Sequence, residues 1–293
     1  MIPVKLKQWS LGLLAVALLA VTLTGCGSVK SAWVAARFGA ALKANPVTSV
    51  SGTVNGNALG KVLGLETESR LQLDFQAQLD PDTEKTCTDF RAGLDLWGSK
   101  LTQDFRIYSI PKDDSTQYYV HLDRPDLWAR SSTAWDGALL WKLDPAMLLL
   151  LAEGGADSAQ MTVSEEYYDF NLTLRAGEIL ELISKVGAKL SPEFQNMDLQ
   201  AITVPVELRV SRESFLPKNL KMQIQGLSGP LLKQILKAAG MEPRGAEISG
   251  GTFELILHSF GYGPREVPTL PEEAAADSAR MEEVFKVLKK LLT

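Results

Sequence analysis

The chain has 293 residues, a net charge of −5 at pH 7 and 45% hydrophobic residues. This acidic balance argues against a nucleic-acid-binding surface, which needs a basic stripe to neutralise phosphates. The length allows one large β-rich domain or two small ones.

The first 25 residues have the order of a secretory signal. Lys5 and Lys7 precede an unbroken apolar run, Leu11 to Val21, and the run is followed by Leu23-Thr24-Gly25-Cys26. A transmembrane helix is the alternative, but the apolar run is shorter than the roughly 20 residues that a span needs. We therefore predict a signal peptide over residues 1–25.

The Leu-Thr-Gly-Cys string resembles the lipobox of bacterial lipoproteins, whose cysteine becomes the first residue and carries acyl chains. The resemblance implies that Cys26 is lipidated, with palmitate as one expected acyl group. It also implies a cell-envelope protein outside the cytoplasm, held on the cell membrane or, if the cell has one, the outer membrane. Each buried CH₂ group contributes about 0.8 kcal/mol, so two or three chains would anchor the protein permanently.

A helix is predicted over residues 28–45, where Asn45-Pro46 stops it. From Val47 onward the apolar period changes to two, as in a strand with one wet and one dry face. The clearest case is the segment 70–80, whose apolar positions are Leu71, Leu73, Phe75, Ala77 and Leu79. Three more strands are predicted at 88–97, 101–107 and 118–122, and Trp128 closes the set. The connections 80–84 and 98–100 are short, which favours antiparallel neighbours, and a loop is predicted over 111–116.

Two helices are predicted in the middle of the chain. Asp144-Pro145 is a typical helix start, and the following helix, 146–152, is apolar on all sides and therefore expected to be buried. The second spans residues 176–190. Strands resume at 168–174, 202–210, 220–226 and 253–257, with a short helix over 230–239 before the last.

These elements predict an α+β fold: one long, curved antiparallel sheet whose apolar face is covered by helices. A sandwich of two sheets is the competing packing, but it would not need the central apolar helices. The tail, 272–293, is predicted to be a separate amphipathic helix with lysines on its polar side. It either docks on the domain or contacts a membrane surface or partner.

The lipobox, the leading helix, the alternating strands and the central helices together resemble the LolA/LolB and LppX/LprG group of lipoprotein and lipid carriers, and most of all its uncharacterised exported lipoproteins. Similar phrases are Trp128 after a Pro-Asp turn, Leu216-Pro217-Lys218-Asn219, and Phe260-Gly261-Tyr262-Gly263 followed by residues 267–273. The resemblance implies a half-barrel domain over residues 26–271 whose helices close an apolar cavity for acyl chains. We expect that cavity to involve Leu71, Leu73, Phe75, Leu148, Leu149 and Leu151.

No phosphate loop, nucleophile elbow or metal-binding motif is present, so we expect neither an enzyme nor a cofactor or metal. His121 and His258 are interpreted as strand-end polar residues, with metal ligation as the alternative. Asp80, Asp82 and Glu84 have calcium-like spacing, but Lys85 stands where an EF-hand needs glycine, which favours a turn. The acidic run at 165–169 would point its neighbouring carboxylates to opposite strand faces.

A carbohydrate site could be lined by Trp97, Trp128, Trp135 and Trp141. These residues are equally at home in a sheet or a core, and we interpret them as core residues. Cys87 has no partner if Cys26 is lipidated, and we interpret it as a structural thiol rather than a redox or intermolecular one. Three hypotheses follow: a carrier of an apolar ligand such as lipid, an envelope adhesion or assembly scaffold without a ligand, and a cryptic hydrolase. We expect a monomer attached to a membrane through Cys26, without a nucleic-acid partner.

Overall fold

The structure is a computed structural model, and it describes residues 28–62, 64–96, 99–112, 115–124, 126–131, 160–177, 199, 202–238, 246–277 and 279–280. Its first element is the helix α1 (Ser28–Ala44), as the sequence predicts. The helix ends because Asn45 caps it, its backbone N–H and its side-chain amide both donating to the carbonyl of Ala41, and because Pro46 cannot continue it.

The described residues form one twelve-stranded sheet. Its first six strands are β1 (Val47–Val62), β2 (Leu65–Leu79), β3 (Thr86–Leu96), β4 (Ser99–Lys112), β5 (Ser115–Asp123) and β6 (Asp126–Ser131). The others are β7 (Gln160–Val163), β8 (Tyr167–Arg175), β9 (Thr203–Ser211), β10 (Pro217–Ser228), β11 (Ala246–Tyr262) and β12 (Ala279–Arg280). Two short helices are α2 (Gly229–Ala238), after β10, and α3 (Glu272–Asp277), after β11.

Strand order across the sheet is β12-β6-β5-β4-β3-β2-β1-β11-β10-β9-β8-β7. Two antiparallel meanders, β1 to β6 and β7 to β11, are therefore joined where β1 pairs with β11, and every pairing is antiparallel except the parallel one between β12 and β6. Among the described residues the edge strands β7 and β12 do not pair with each other, so the sheet is curved but open.

One face of the sheet is apolar, and its main core lies under α1. Strand β9 alternates without exception from Thr203 to Val210, with Val204, Val206, Leu208 and Val210 buried and the residues between them exposed. The same cluster contains the buried α1 side chains Val34, Phe38 and Leu42. Helix α1 therefore covers the β8 to β11 part of the apolar face and the neighbouring ends of β1 and β2.

The prediction of a long antiparallel sheet is confirmed, but the α+β description with helices over the face is confirmed only in part. In the part of the chain that the structure describes, the fold is dominated by the sheet, with α1 and the short α2 and α3 as its helices. The predicted helix 146–152, and all of 176–190 beyond the helical pair Ala176 and Gly177, lie outside the described residues.

Three boundary predictions are wrong. The loop over 111–116 is instead a continuation of β4 and β5, in which Pro111 pairs with Thr116, and the turn predicted at 98–100 is shorter because β4 already begins at Ser99. Of the helix predicted over 272–293, the structure shows only Glu272–Asp277 as helix; Ala279–Arg280 pair with β6, and residues 281–293 lie outside the described residues. The open edge of β6 offers unpaired backbone groups, which explains why a strand replaces the helix there.

Candidate functional site

A row of apolar residues crosses six adjacent strands near one end of the apolar face. Each member of the row lies directly opposite the next member on the neighbouring strand, and residues directly opposite each other share a face. The row, which we call the open apolar row, consists of Ile224, Phe253, Gly56, Leu71, Leu94 and Leu101. Phe253 is 38% exposed, Leu71 is 39% exposed and Leu101 is 53% exposed. The three other members are half-buried.

Burial changes steadily along β2, away from the open apolar row and toward α1. Leu71 is exposed, Leu73 is half-buried, Phe75 is 4% exposed and Ala77 is fully buried. Phe75 and Ala77 belong to the cluster that contains the α1 side chains, whereas Leu71 does not. In the part of the chain that the structure describes, the apolar face thus has a covered end and an open end.

Gly56 occupies the middle of the open apolar row. A Cβ atom placed there would meet only the Leu71 side chain within 4 Å, at 3.6 Å from its Cβ. The glycine therefore leaves space between Phe253 and Leu71. All six members of the row line a depression of about 810 Å³, together with polar neighbours from the same strands such as Gln72 and Asp95.

The structure places the predicted cavity residues unequally. Leu71 is in the open apolar row, Leu73 lies one step toward the core, and Phe75 is a core residue whose ring is 6.2 Å from that of Phe90. Leu148, Leu149 and Leu151 lie outside the described residues, as does Cys26. The row members Ile224, Phe253, Gly56, Leu94 and Leu101 were not among the candidates. Alternation marked most of them as apolar, but only the register brings them together.

The opposite face of the sheet is polar, and charged residues pair across its strands. Arg91 donates to Asp104 at 2.9 Å, Arg106 pairs with Asp89, and Arg209 donates to Asp169 at 2.6 Å. The two residues of each pair lie directly opposite each other on neighbouring strands, so these ion pairs stabilise the strand register. They also explain why β3 and β4 alternate apolar and charged residues so regularly.

The two histidines lie on this polar face, and both border a second depression of about 810 Å³. His258 Nε2 is 2.8 Å from the Thr53 hydroxyl, which donates to Asp74 at 2.8 Å. His121 Nε2 is 2.7 Å from Asp126, and its ring stacks on Trp128 at 4.5 Å. Within the described ranges no group of three or more histidine, cysteine, aspartate or glutamate residues could hold a metal ion.

The segment that follows β11 packs on the far part of the polar face. Val267 and Leu270 contact a cluster formed by Cys87, Tyr108, Tyr119 and Trp128. Burial, with a smaller contribution from nearby Asp89, raises the pKa of the Cys87 thiol to about 11. This position agrees with a structural thiol, because a neutral buried thiol is a poor nucleophile.

The turn at residues 80–84 has the geometry of a side-chain-capped hairpin. Asp80 accepts hydrogen bonds from the backbone N–H groups of Asp82 and Thr83, at 2.9 and 3.3 Å, and from the Thr83 hydroxyl at 2.5 Å. These bonds lower the pKa of the Asp80 carboxyl, the hydroxyl of Thr83 most of all. The prediction of a turn rather than a calcium loop is therefore confirmed in its geometry.

No protein-family model and no curated protein matches the chain. Among solved structures, it is similar to a DUF1329 family protein from Desulfovibrio piger, with 9% identity, coverage of 84% of this chain and 96% of the other, and a TM-score of 0.23. A beta-barrel-like protein of domain of unknown function DUF1849 from Brucella abortus has 9% identity, coverage of 74% and 98%, and a TM-score of 0.23.

A third solved structure is a domain from Vibrio parahaemolyticus that is provisionally named an outer membrane lipoprotein-sorting protein. Its identity is 9%, the coverage is 82% of this chain and 92% of the other, and the TM-score is 0.20. At this identity and TM-score, the three solved structures identify no functional residue in the present chain. In the part of the chain that the structure describes, no helix is long and apolar enough to span a membrane.

Proposed function

We propose that this protein is a lipid-anchored envelope protein that binds an acyl chain of a lipid along its open apolar row. The observation that carries the proposal is the exposure of Phe253, Leu71 and Leu101 in one continuous line across the sheet. Exposed single apolar residues are ordinary, but a contiguous line of them is typical of an interaction site.

The dimensions of the row suit a long acyl chain. Six adjacent strands enclose five intervals of about 4.8 Å, which gives a row of about 24 Å. This length is comparable to that of an extended long-chain fatty acyl group. Because Gly56 has no side chain, there is space in the middle of the row, and a flexible acyl chain can lie across the strands there.

The lipobox-like sequence that ends at Cys26 is a second observation in support of the proposal. A protein held on a membrane through Cys26 meets lipid at high local concentration, because the anchor restricts it to the bilayer surface. Loss of the anchor is tested by Cys26→Ser with radioactive fatty acid labelling. We expect the label to disappear, and undiminished label in the variant would contradict lipidation at this residue.

The binding proposal is tested by native mass spectrometry of the full-length protein purified from membranes, with Leu71→Ser compared with Leu65→Ser. Both leucines are exposed on β2, but only Leu71 belongs to the open apolar row. We expect non-covalent lipid on the wild type and on Leu65→Ser, and a clear loss on Leu71→Ser, with similar melting temperatures for all three.

Equal lipid on both variants would contradict the assignment of the row. Absence of non-covalent lipid from the wild type would favour the alternative function, an envelope adhesion or assembly scaffold that has no small-molecule ligand.

A further inference from the structure

An aromatic cluster lies beside α1, on the covered end of the sheet. The Trp33 ring contacts the ring of Phe215 edge-on, with 5.5 Å between centroids, and Phe215 stacks on Tyr168 at 5.9 Å. Tyr168 is buried, Phe215 is half-buried and Trp33 is 48% exposed. The half-exposed Trp33 indole therefore packs on Phe215, which in turn packs on the buried Tyr168.

The exposure of Trp33 differs from that of its neighbours in the helix. Val34 and Phe38 are fully buried against the sheet, whereas Trp33 and Arg37, one turn apart, form an exposed stripe. The Arg37 guanidinium lies over the Trp33 ring, 5.4 Å from its centroid. An exposed indole next to an arginine is the residue pair that membrane interfaces favour, since the ring has an apolar body and a polar N–H.

The cluster is close in the chain to the predicted lipidation site. Residues between Cys26 and Ser28 span at most about 7 Å when extended, and five helical residues from Ser28 to Trp33 add about 7.5 Å. Trp33 is thus within about 15 Å of a cysteine whose acyl chains enter the bilayer. The headgroup region on each side of a bilayer is about 5–8 Å thick, so Trp33 is close enough to the anchor to reach it.

Charges around the cluster are mixed. Arg212, whose guanidinium lies 5.7 Å from the centre of the Tyr168 ring, also donates to the carbonyls of Ser164 and Glu165. The exposed residues Glu165, Glu166 and Glu213 lie in the two turns next to it. These carboxylates offset the arginines, so attraction to anionic lipid is not what would hold this surface on a membrane.

We infer that Trp33 is a second membrane contact: its indole inserts at the headgroup level of the bilayer that holds Cys26, and Arg37 binds lipid phosphate. The inference rests on the lipid anchorage proposed above. Its consequence is a fixed orientation, with the first turns of α1 and the 212–216 turn against the membrane.

The test uses the full-length protein, purified from membranes and reconstituted into phosphatidylcholine vesicles that contain lipid brominated near the carbonyl end of its acyl chains. Bromine quenches tryptophan fluorescence at short range. We compare the wild type with Trp33→Phe and with the control Trp128→Phe, which removes a half-buried indole on β6. We expect quenching in the wild type, retention in Trp128→Phe and loss of most of it in Trp33→Phe, without any need for anionic lipid.

Mass spectrometry of the same samples measures acylation of Cys26. Acylated protein with equal quenching in Trp33→Phe and wild type, or with no quenching in the wild type, would overturn the inference and leave the anchor standing. Absence of acyl groups would overturn both. Thermal unfolding at the wild-type temperature verifies that Trp33→Phe is folded, because phenylalanine keeps the contact with Phe215.

Discussion

The covered and open ends of the apolar face are built from the same alternation yet have different environments. Leu208, under α1, is 1% exposed, whereas Leu101, in the open apolar row, is 53% exposed. Both belong to strands that alternate apolar and polar residues. Alternation therefore determines which face a side chain occupies, and the helix that packs on that face determines how deeply it is buried.

The largest difference between the two ends is expected for truncation of these leucines. Leu208→Ala should reduce the free energy of unfolding by about 2–5 kcal/mol, because it removes buried methyl groups and leaves a cavity. Leu101→Ala should change it by no more than about 0.5 kcal/mol, since the side chain is half in solvent. Urea unfolding followed by circular dichroism measures both, and equal losses would show that the two ends are packed alike.

Two glycines on β1 provide a second comparison between the covered and open ends, with a smaller expected effect on stability. A Cβ atom at Gly52 would be 2.6 Å from both the Phe75 ring and the Ile256 carbonyl oxygen, whereas one at Gly56 would meet only Leu71 at 3.6 Å. We expect Gly52→Ala to destabilise the protein by about 1–3 kcal/mol through overpacking. Gly56→Ala should be tolerated. The melting temperatures of the two variants test this expectation. A Gly52→Ala variant as stable as the wild type would mean that the Phe75 ring does not pack closely on β1.

Cys87 gives the smallest expected effect, which is measured as the reactivity of its thiol. Because burial raises its pKa from 9.0 to about 11, the neutral thiol is favoured in the folded protein. That contribution to stability is present below pH 9 and is lost as the pH rises toward 11. We expect a thiol reagent at pH 8 to label native Cys87 far more slowly than a cysteine introduced by Leu101→Cys. Equal labelling rates would show that the Cys87 cluster opens readily.

Strands with uninterrupted alternation could be predicted from the sequence. The segments 168–174 and 202–210 correspond to β8 and β9 almost residue for residue, because every alternating apolar position in the two strands is buried, and only Ile202, just before β9, is half-buried. The face of β2 that carries Phe75 is also predicted correctly. The exposure of Leu71 on that face could not be predicted, because alternation identifies the face of a side chain but not whether another element packs on it.

The full lengths of β1 and β11 could not be predicted from the sequence, because several of their residues have low β propensity. β1 contains Asn55, Gly56, Asn57 and Gly60, and β11 extends through Gly250 and Gly251 well before the predicted start at Phe253. These segments are strands because each pairs with a long partner, an example of tertiary pairing that overrides local preference. For the same reason, the open apolar row could not be assembled from the sequence: it exists only in the register of β10, β11 and β1 to β4.

The pairing of β1 with β11 has a consequence for how the protein is made. Val47 lies opposite Tyr262, and Val62 lies opposite Ala246, so the central hydrogen bonds of the sheet join segments that are synthesised far apart in time. Contacts with such large sequence separation form slowly. A chain that emerges from its N-terminus first keeps β1 without its β11 partner until the last sixth of the polypeptide has appeared, so this junction of the two meanders closes only when synthesis is nearly complete.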